Sequence, residues 1–394
     1  MEIRDYEYVL VPNILAGYKC SSSGECCKSK WRIDIDSISY EKTKEELNNI
    51  GEDIEEYIGQ SDKGDYVTKF ANGYCKFITN EKLCRIHRDF GWECLSDTCK
   101  VYPRILKLTS RGLEMGLVFS CRSSAKLLLK EENFEIIKVK KEDLFIMKPG
   151  NVAFIIPENN IPSSAEYRYF EMENFMMDIL KKEDNLGKKV QFLYEKINEF
   201  FSSPETENYD FSKTLEDYPK YKFQKYISKD LNDYIIKTIL IKEGRSKAVS
   251  NEFINLLKLV RLSGDLEKDK DYLREDSFLL TLEDIEEMKK SWTERDEKVL
   301  KNYLLCFIFN KEFYKSNRYA MMKMAMLGGM LKFRILLNKK YLKRDLTDEE
   351  LIYTIKSHDN DFSHDGEYFN EFYNQKKEAM DIEDYIRKMI TILY

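Results

Sequence analysis

Apolar residues recur at Leu186, Val190, Leu193, Ile197 and Phe201, three or four positions apart, which is one face of a helix. Thr293-x-x-Asp296 and Thr347-x-x-Glu350 have the form of capping boxes and predict helix starts. Long apolar helices are expected over 296–310 and 317–337. Trp31-Arg32-Ile33-Asp34-Ile35-Asp36 alternates with a period of two, as a half-buried strand does. Residues 105–109 and 113–119, joined by Ser110-Arg111-Gly112, predict a hairpin with Gly in the turn. A charged surface helix is expected over 41–57, a second pair of short strands over 134–139 and 152–156, and a polar loop over 203–216. Pro, Gly and Asn cluster at 148–150 and 157–162, where a domain boundary fits. The predicted fold class is α+β, mostly α. A loop-rich N-terminal cysteine-cluster domain with short strands and a hairpin (1–157) precedes a C-terminal helical domain (158–394).

Length and composition narrow this picture. The 394 residues suit two or three domains. With 43% hydrophobic and 34% charged residues, 16 Gly and 7 Pro, the chain is neither collagen-like nor low-complexity. A net charge of −6 argues against nucleic acid as a chain-wide partner, and three histidines argue against a His-rich zinc hydrolase. Met1-Glu2-Ile3-Arg4-Asp5 lacks the basic and apolar segments of a signal peptide. The most apolar stretch, 319–337, is broken by Lys323, Lys332 and Arg334 and reads as a buried helix rather than a membrane span. The expectation is a soluble, cytoplasmic protein with no membrane partner. In that compartment nine cysteines need a role other than structural disulfides.

Eight of the nine lie between Cys20 and Cys121: Cys20, the adjacent Cys26 and Cys27, Cys75, Cys84, Cys94, Cys99 and Cys121. The ninth, Cys306, sits in an apolar helical stretch. Thiolates are soft ligands for zinc and iron–sulfur clusters, although no Cys-x-x-Cys knuckle and no Cys-x3-Cys-x2-Cys spacing is present. Gly24 and Gly73, just before Cys26 and Cys75, permit tight turns around a ligand. Lys19, Lys28, Lys76, Arg85, Lys100 and Arg122 each adjoin a cysteine, and positive charge favours thiolate. Core packing is the competing use of a free cysteine.

Several segments run in a familiar order: Tyr18-Lys19-Cys20, Cys26-Cys27, Trp31 to Asp36, Asn72-Gly73-Tyr74-Cys75-Lys76-Phe77, Leu83-Cys84-Arg85-Ile86, Leu95 to Arg104, and Ser120-Cys121. Together they closely resemble the bacterial flagellin lysine-N-methylase family. The N-terminal part is similar, more distantly, to zinc- or iron-chelating cysteine-cluster proteins. The specific motifs cover roughly the first third of the chain; 168–190, Asn302-Tyr303-Leu304 and Ser357 to His364 resemble the family more weakly. The resemblance implies an S-adenosylmethionine-dependent protein lysine N-methyltransferase acting on flagellin, with a cysteine-ligated iron–sulfur cluster, zinc being the alternative metal. By motif it carries over Cys20, Cys26, Cys27, Cys75, Cys84, Cys99 and Cys121 as candidate metal ligands. Cys94 matches no family position.

For the methyl donor, Tyr102 and Arg104 are candidates to hold a carboxylate or ribose, or else form a local turn and ion pair. Trp31 offers adenine a stacking face, or packs in the core. Asp34 and Asp36 share a strand face, to meet a lysine ammonium or simply to face solvent. His87 has Cys-x-x-His spacing from Cys84 or lies on the surface. His358 and His364 are candidate general bases, or loop residues of the polar run 357–367. The methionines 321, 322, 324, 326 and 330 read as helix core. The sequence singles out no catalytic residue, and no Gly-x-Gly-x-x-Gly marks a Rossmann-type donor site. The alternative function is a non-catalytic zinc- or iron-binding module fused to a helical interaction domain. A redox sensor built on Cys26-Cys27 is a third.

Overall fold

In the computed structural model, the described residues are 6–28, 33–144, 168–203, 206–226, 282–310, 317–362 and 382–394. The chain divides into two compact units, Met1–Leu127 with Glu135–Ile155, and Leu128–Phe134 with Ile156–Tyr394. The boundary expected from the Pro, Gly and Asn clusters lies outside the described residues, as does the proposed strand at 152–156. The architecture is α+β and mostly helical.

Among the described residues the first unit carries eight short strands: β1 (Tyr8–Pro12), β2 (Ile58–Gln60), β3 (Tyr66–Thr68), β4 (Phe70–Ala71), β5 (Tyr74–Cys75), β6 (Arg104–Thr109), β7 (Gly112–Leu117) and β8 (Ile136–Lys140). Its helices are α1 (Asn13–Ala16), α2 (Ser37–Asn49), α3 (Asp97–Val101) and α4 (Arg122–Ala125). The largest sheet runs β6-β7-β1-β8. β6 and β7 form the expected hairpin, with Leu106 opposite Met115. β1 then pairs parallel to β7 and antiparallel to β8, placing Val9 opposite both Leu113 and Val139. β8 thus finds its partner in β1. Val9, Val11, Leu113, Met115 and Leu117 are buried, which is why these strands carry apolar residues.

Two expected elements differ. Ile33 and Ile35 are buried and Asp34 exposed, as the alternation predicts. Yet among the described residues of this segment, 33–36, there is a single bridge, Asp34 to Val67, rather than a strand. The helix expected over 41–57 starts earlier, because the Asp36 carboxylate accepts from the Ser39 N–H and caps α2. A short 3-10 turn, Ile54–Glu56, follows it.

The second unit is built from α5 (Tyr169–Lys181), α6 (Leu186–Ser202), α7 (Phe211–Asp217), α8 (Leu282–Lys289), α9 (Glu294–Phe309), α10 (Asn317–Leu342), α11 (Asp348–Phe362) and α12 (Ile382–Leu393). α6 buries Leu186, Val190, Leu193 and Ile197, and its stripe ends on Phe200 rather than Phe201. The Thr293/Asp296 capping box is formed in both directions. Thr347 and Glu350 exchange hydrogen bonds of the same kind. Part of the expected polar loop is α7, capped by Asp210. α10 runs past 337 because the Lys339 ammonium is buried against Asp296 and also pairs with Asp345 at 2.8 Å. Asn302, on α9, holds the Leu128 carbonyl at 3.0 Å and so fixes the 128–134 segment among the helices. Among the described residues no helix is long and apolar enough to cross a membrane.

Candidate functional site

The site begins with a turn. Gly24 has φ +66°, and a Cβ there would stand 2.0 Å from the Lys82 carbonyl oxygen. Only glycine lets this backbone approach so closely. The 3-10 turn Glu25–Lys28 follows and presents Cys26 and Cys27. A second turn, Asn72-Gly73, has positive φ at both residues, 53° and 80°. It closes the β4–β5 hairpin as Asn-Gly turns do and sets Cys75 opposite Phe70. Cys84 bridges to Ile78. Cys99 lies on α3, whose cap is Ser96. The Asp36 carboxylate accepts from the Asp97 N–H at 3.2 Å, tying α3 to the start of α2.

These elements bring Cys26, Cys27, Cys75, Cys84 and Cys99 within electrostatic reach of one another. Hydrogen bonding orders the thiols. Cys27 is buried and holds its proton, pushed up by its hydrogen bonds with Cys26 and Cys84 and by burial. That proton, shared with its neighbours, lowers Cys26 and Cys84 to about 7 each. The Ile86 and His87 N–H groups reinforce the effect at Cys84. Cys75 packs in the apolar core, and burial raises its thiol to about 11.

Three of the cations that adjoin cysteines in sequence are engaged elsewhere. Arg85 makes a two-pronged pair with Glu52 at 2.6 and 2.7 Å and touches the Tyr57 hydroxyl at 2.8 Å. Lys100 lies over Trp92 and pairs with Asp97 at 3.6 Å. Arg122 reaches Glu25 at 3.8 Å. Thiolate character in this group is thus set by the Cys27 thiol and backbone N–H groups, not by neighbouring side-chain charge.

Cys20 and Cys121 are not among the five. They stand with Tyr18 and Arg104. The Tyr18 hydroxyl and the Cys121 thiol share a hydrogen bond at 3.9 Å, and the Arg104 guanidinium lies 5.0 Å from the Tyr18 ring centre. Tyr102, joined to Pro103 by a cis peptide, meets the Ser120 hydroxyl at 3.2 Å. Cys94 is in the apolar core behind α2, where Thr43 donates to its carbonyl. Cys306 is buried within α9.

Other candidates fall in place individually. Asp36 is a cap, not a free carboxylate: burial acts upward on it, but its hydrogen bonds from Ser39 and Asp97 prevail and hold it below the usual carboxylate range. Asp34 and His87 are exposed. His358 is not in a loop; it is fully buried in α11, between the rings of Tyr303 and Phe362. Its helix follows from the Thr347 cap, which the polar run Ser357 to His364 masks. Trp31 and His364 lie outside the described residues. Sequence reasoning missed Tyr18 and the grouping of Arg104 with two thiols; the Tyr18-Lys19-Cys20 segment was the available signal.

Thiols suit soft metals and iron–sulfur clusters, and this donor set supplies five, two of them favoured as thiolate near neutrality. Among the described residues, no group of three or more His, Cys, Asp or Glu side chains stands arranged to hold a metal ion. The fit is therefore one of donor chemistry, carried by Cys26, Cys27, Cys75, Cys84 and Cys99.

Over 191 residues the chain is 22% identical to proteins named lysine-N-methylase from Salmonella typhimurium and Salmonella choleraesuis. The chain resembles the lysine-N-methylases. The match takes in 43% of this chain, which spans about half the length (47%) of each of those relatives. Over 142 residues it is 24% identical to the flagellar biosynthetic protein FliU of Salmonella muenchen, covering 34% of this chain and 83% of that protein. No protein-family model and no solved structure matches the chain.

Proposed function

We propose that this chain is a protein-lysine N-methyltransferase that takes its methyl group from S-adenosylmethionine and modifies flagellin in the cytoplasm. The observation that carries the reading is the similarity to lysine-N-methylases, supported by the gathering of five thiols from motifs of the same family.

The chemistry asks three things of the chain. A lysine amine ordinarily has a pKa near 10.4 and is protonated at neutral pH, so the site has to remove that proton by desolvation or a base. It has to hold nitrogen, methyl carbon and sulfur in line, where positioning supplies much of the rate. It also has to bind a donor bearing a sulfonium, a carboxylate and an adenosine. Arg104 is suited to the carboxylate, since its buried Nε has no hydrogen-bond partner. Tyr102, two positions before it, is the second candidate for the donor, with its hydroxyl on that of Ser120 at 3.2 Å.

In this reading four ligands of an iron–sulfur cluster would come from Cys26, Cys27, Cys75, Cys84 and Cys99, one of the adjacent Cys26 and Cys27 packing beside it, with zinc as the alternative. A metal bound there would staple a loop-rich unit, since thiolate–metal binding is folding free energy. Cys26 and Cys84 are ready as thiolates; Cys27 has to lose its proton and Cys75 has to be drawn out of apolar packing.

The test is calorimetric titration of S-adenosylmethionine into protein purified without oxygen, with iron and sulfide content measured alongside. Saturable micromolar binding, followed by a one-methyl mass increase on a flagellin lysine, is the expected outcome. Folded, metal-replete protein that binds no donor and leaves the flagellin mass unchanged would overturn it in favour of a non-catalytic metal module.

A further inference from the structure

Arg104 is the first residue of β6, and its guanidinium is largely enclosed by protein. Its Nε is buried without a hydrogen-bond partner. Among the described residues the guanidinium makes no ion pair. Its neighbours are the Tyr18 ring, 5.0 Å away, and the thiols of Cys20 and Cys121. Other enclosed cations of the chain are provided for. Lys339 is paired with Asp296 and Asp345. Arg168 holds Glu171 and two carbonyls. Lys189 donates to the Leu180 and Lys182 carbonyls. A buried charge without a counter-ion is strongly unfavourable, so the missing partner of Arg104 is itself information.

What surrounds Arg104 says what that partner is. Cys20 is exposed, which leaves a way in from solvent. Hydroxyls border the same segments: Ser123 donates to Ser21 at 2.8 Å, and the Tyr102 and Ser120 hydroxyls meet at 3.2 Å. The Tyr18 ring fixes the plane of the guanidinium by cation–π attraction. A planar, oriented guanidinium with free N–H groups is the complement of a carboxylate, which it takes with two parallel hydrogen bonds.

We infer that Arg104, held on Tyr18 beside Cys20 and Cys121, is the anchor for the amino-acid carboxylate of S-adenosylmethionine. The inference rests on the donor reading above. The seven family-type cysteines then divide in role, five gathering as a thiol group and two lining the mouth of a carboxylate site. Arg104 is here a binding residue, and no proton or bond changes hands at it.

The experiment compares two probes by calorimetry on the full chain: S-adenosylmethionine and its decarboxylated analogue, which keeps the sulfonium and adenosine. Wild type, Arg104→Gln and Arg104→Lys are measured, and unfolding midpoints confirm that each is folded. Arg104→Gln is expected to weaken S-adenosylmethionine by about 10- to 100-fold, the range of hydrogen bonds to a charged partner. It leaves the already weaker decarboxylated analogue unchanged, and Arg104→Lys restores part of the loss. If both probes bind Arg104→Gln as they bind wild type, the inference fails while the donor reading stands. In that event slower iodoacetamide alkylation of Cys20 in the variant would assign the guanidinium to the thiols. If wild type binds neither probe, the donor reading itself falls and takes the inference with it.

Discussion

In the helical unit, Leu186, Val190, Leu193, Ile197 and Phe200 are each fully buried along one helix. Its buried charges include the Lys339–Asp296 ion pair. In the thiol-bearing unit the buried apolar residues sit under short strands and turns, and five of the cysteines are spaced by capping groups, tight glycines and single bridges. The first arrangement is stabilised by area removed from water, which falls gradually as side chains shrink. The second depends on individual backbone conformations, which fail abruptly. One region is therefore sensitive to volume and the other to turn chemistry.

The largest effect expected is in the helices. Phe200→Ala should destabilise the protein by roughly 3–5 kcal/mol through lost burial and the cavity left behind. Urea unfolding measures this, while alkylation of Cys26 and Cys84 in native buffer is followed in parallel. Alkylation unchanged below the transition would sustain the contrast between the units, and a matching rise in thiol exposure would break it.

Next comes overpacking. A Cβ on Gly328 would lie 2.1 Å from the Tyr394 hydroxyl and 2.9 Å from Leu304. Gly328→Ala should destabilise by about 1–3 kcal/mol. Tyr394→Phe removes the clashing oxygen but also its hydrogen bond to the Ala325 carbonyl at 3.1 Å. The double variant should therefore recover part of the loss, so the two effects are non-additive. Simple additivity would mean that the Tyr394 side chain moves aside freely.

Gly24→Ala tests the other regime. The substitution puts an L side chain at φ +66° and drives it into the Lys82 carbonyl. The left-handed conformation alone costs roughly 1–2 kcal/mol. The sharper readout is chemical. Once the turn is displaced, Cys26 and Cys84 should lose the hydrogen bonds from Cys27, and their alkylation midpoints should rise from about 7 toward the ordinary thiol range. Cys27→Ala should give the same upward shift without moving the backbone.

What the sequence revealed follows the same division. The α6 stripe and the Thr293 capping box are periodic or local signals, and they mark the observed helices to within a few residues. The β6–β7 hairpin was equally legible from its turn. Pairing between distant strands was not, since β1 joins β7 and β8 across more than a hundred residues with no local mark. The seven family-type cysteines were visible as a set. Their separation into five with Cys27 at the centre and two beside Arg104 depends on which turns meet, and spacing does not encode that. Charges adjacent to cysteines misled for a related reason: a side chain next in sequence points to another face, as Arg85 does toward Glu52.

That last pair gives the smallest predicted effect. Arg85 holds the Glu52 carboxylate at about 2, below its ordinary 4.5. A carboxylate depressed in the folded state stabilises above its unfolded pKa and loses that contribution as pH falls toward 2. Both side chains are partly exposed, so solvent screening keeps the contribution of Glu52 below about 1 kcal/mol, and Glu52→Gln should lower stability by no more than that at pH 7. The Tyr57 hydroxyl and the face of Phe90 still hold Arg85 in the variant. The guanidinium should therefore stay away from Cys84, whose alkylation midpoint should remain near 7. A downward shift would show that the guanidinium, once released from Glu52, reaches this thiol.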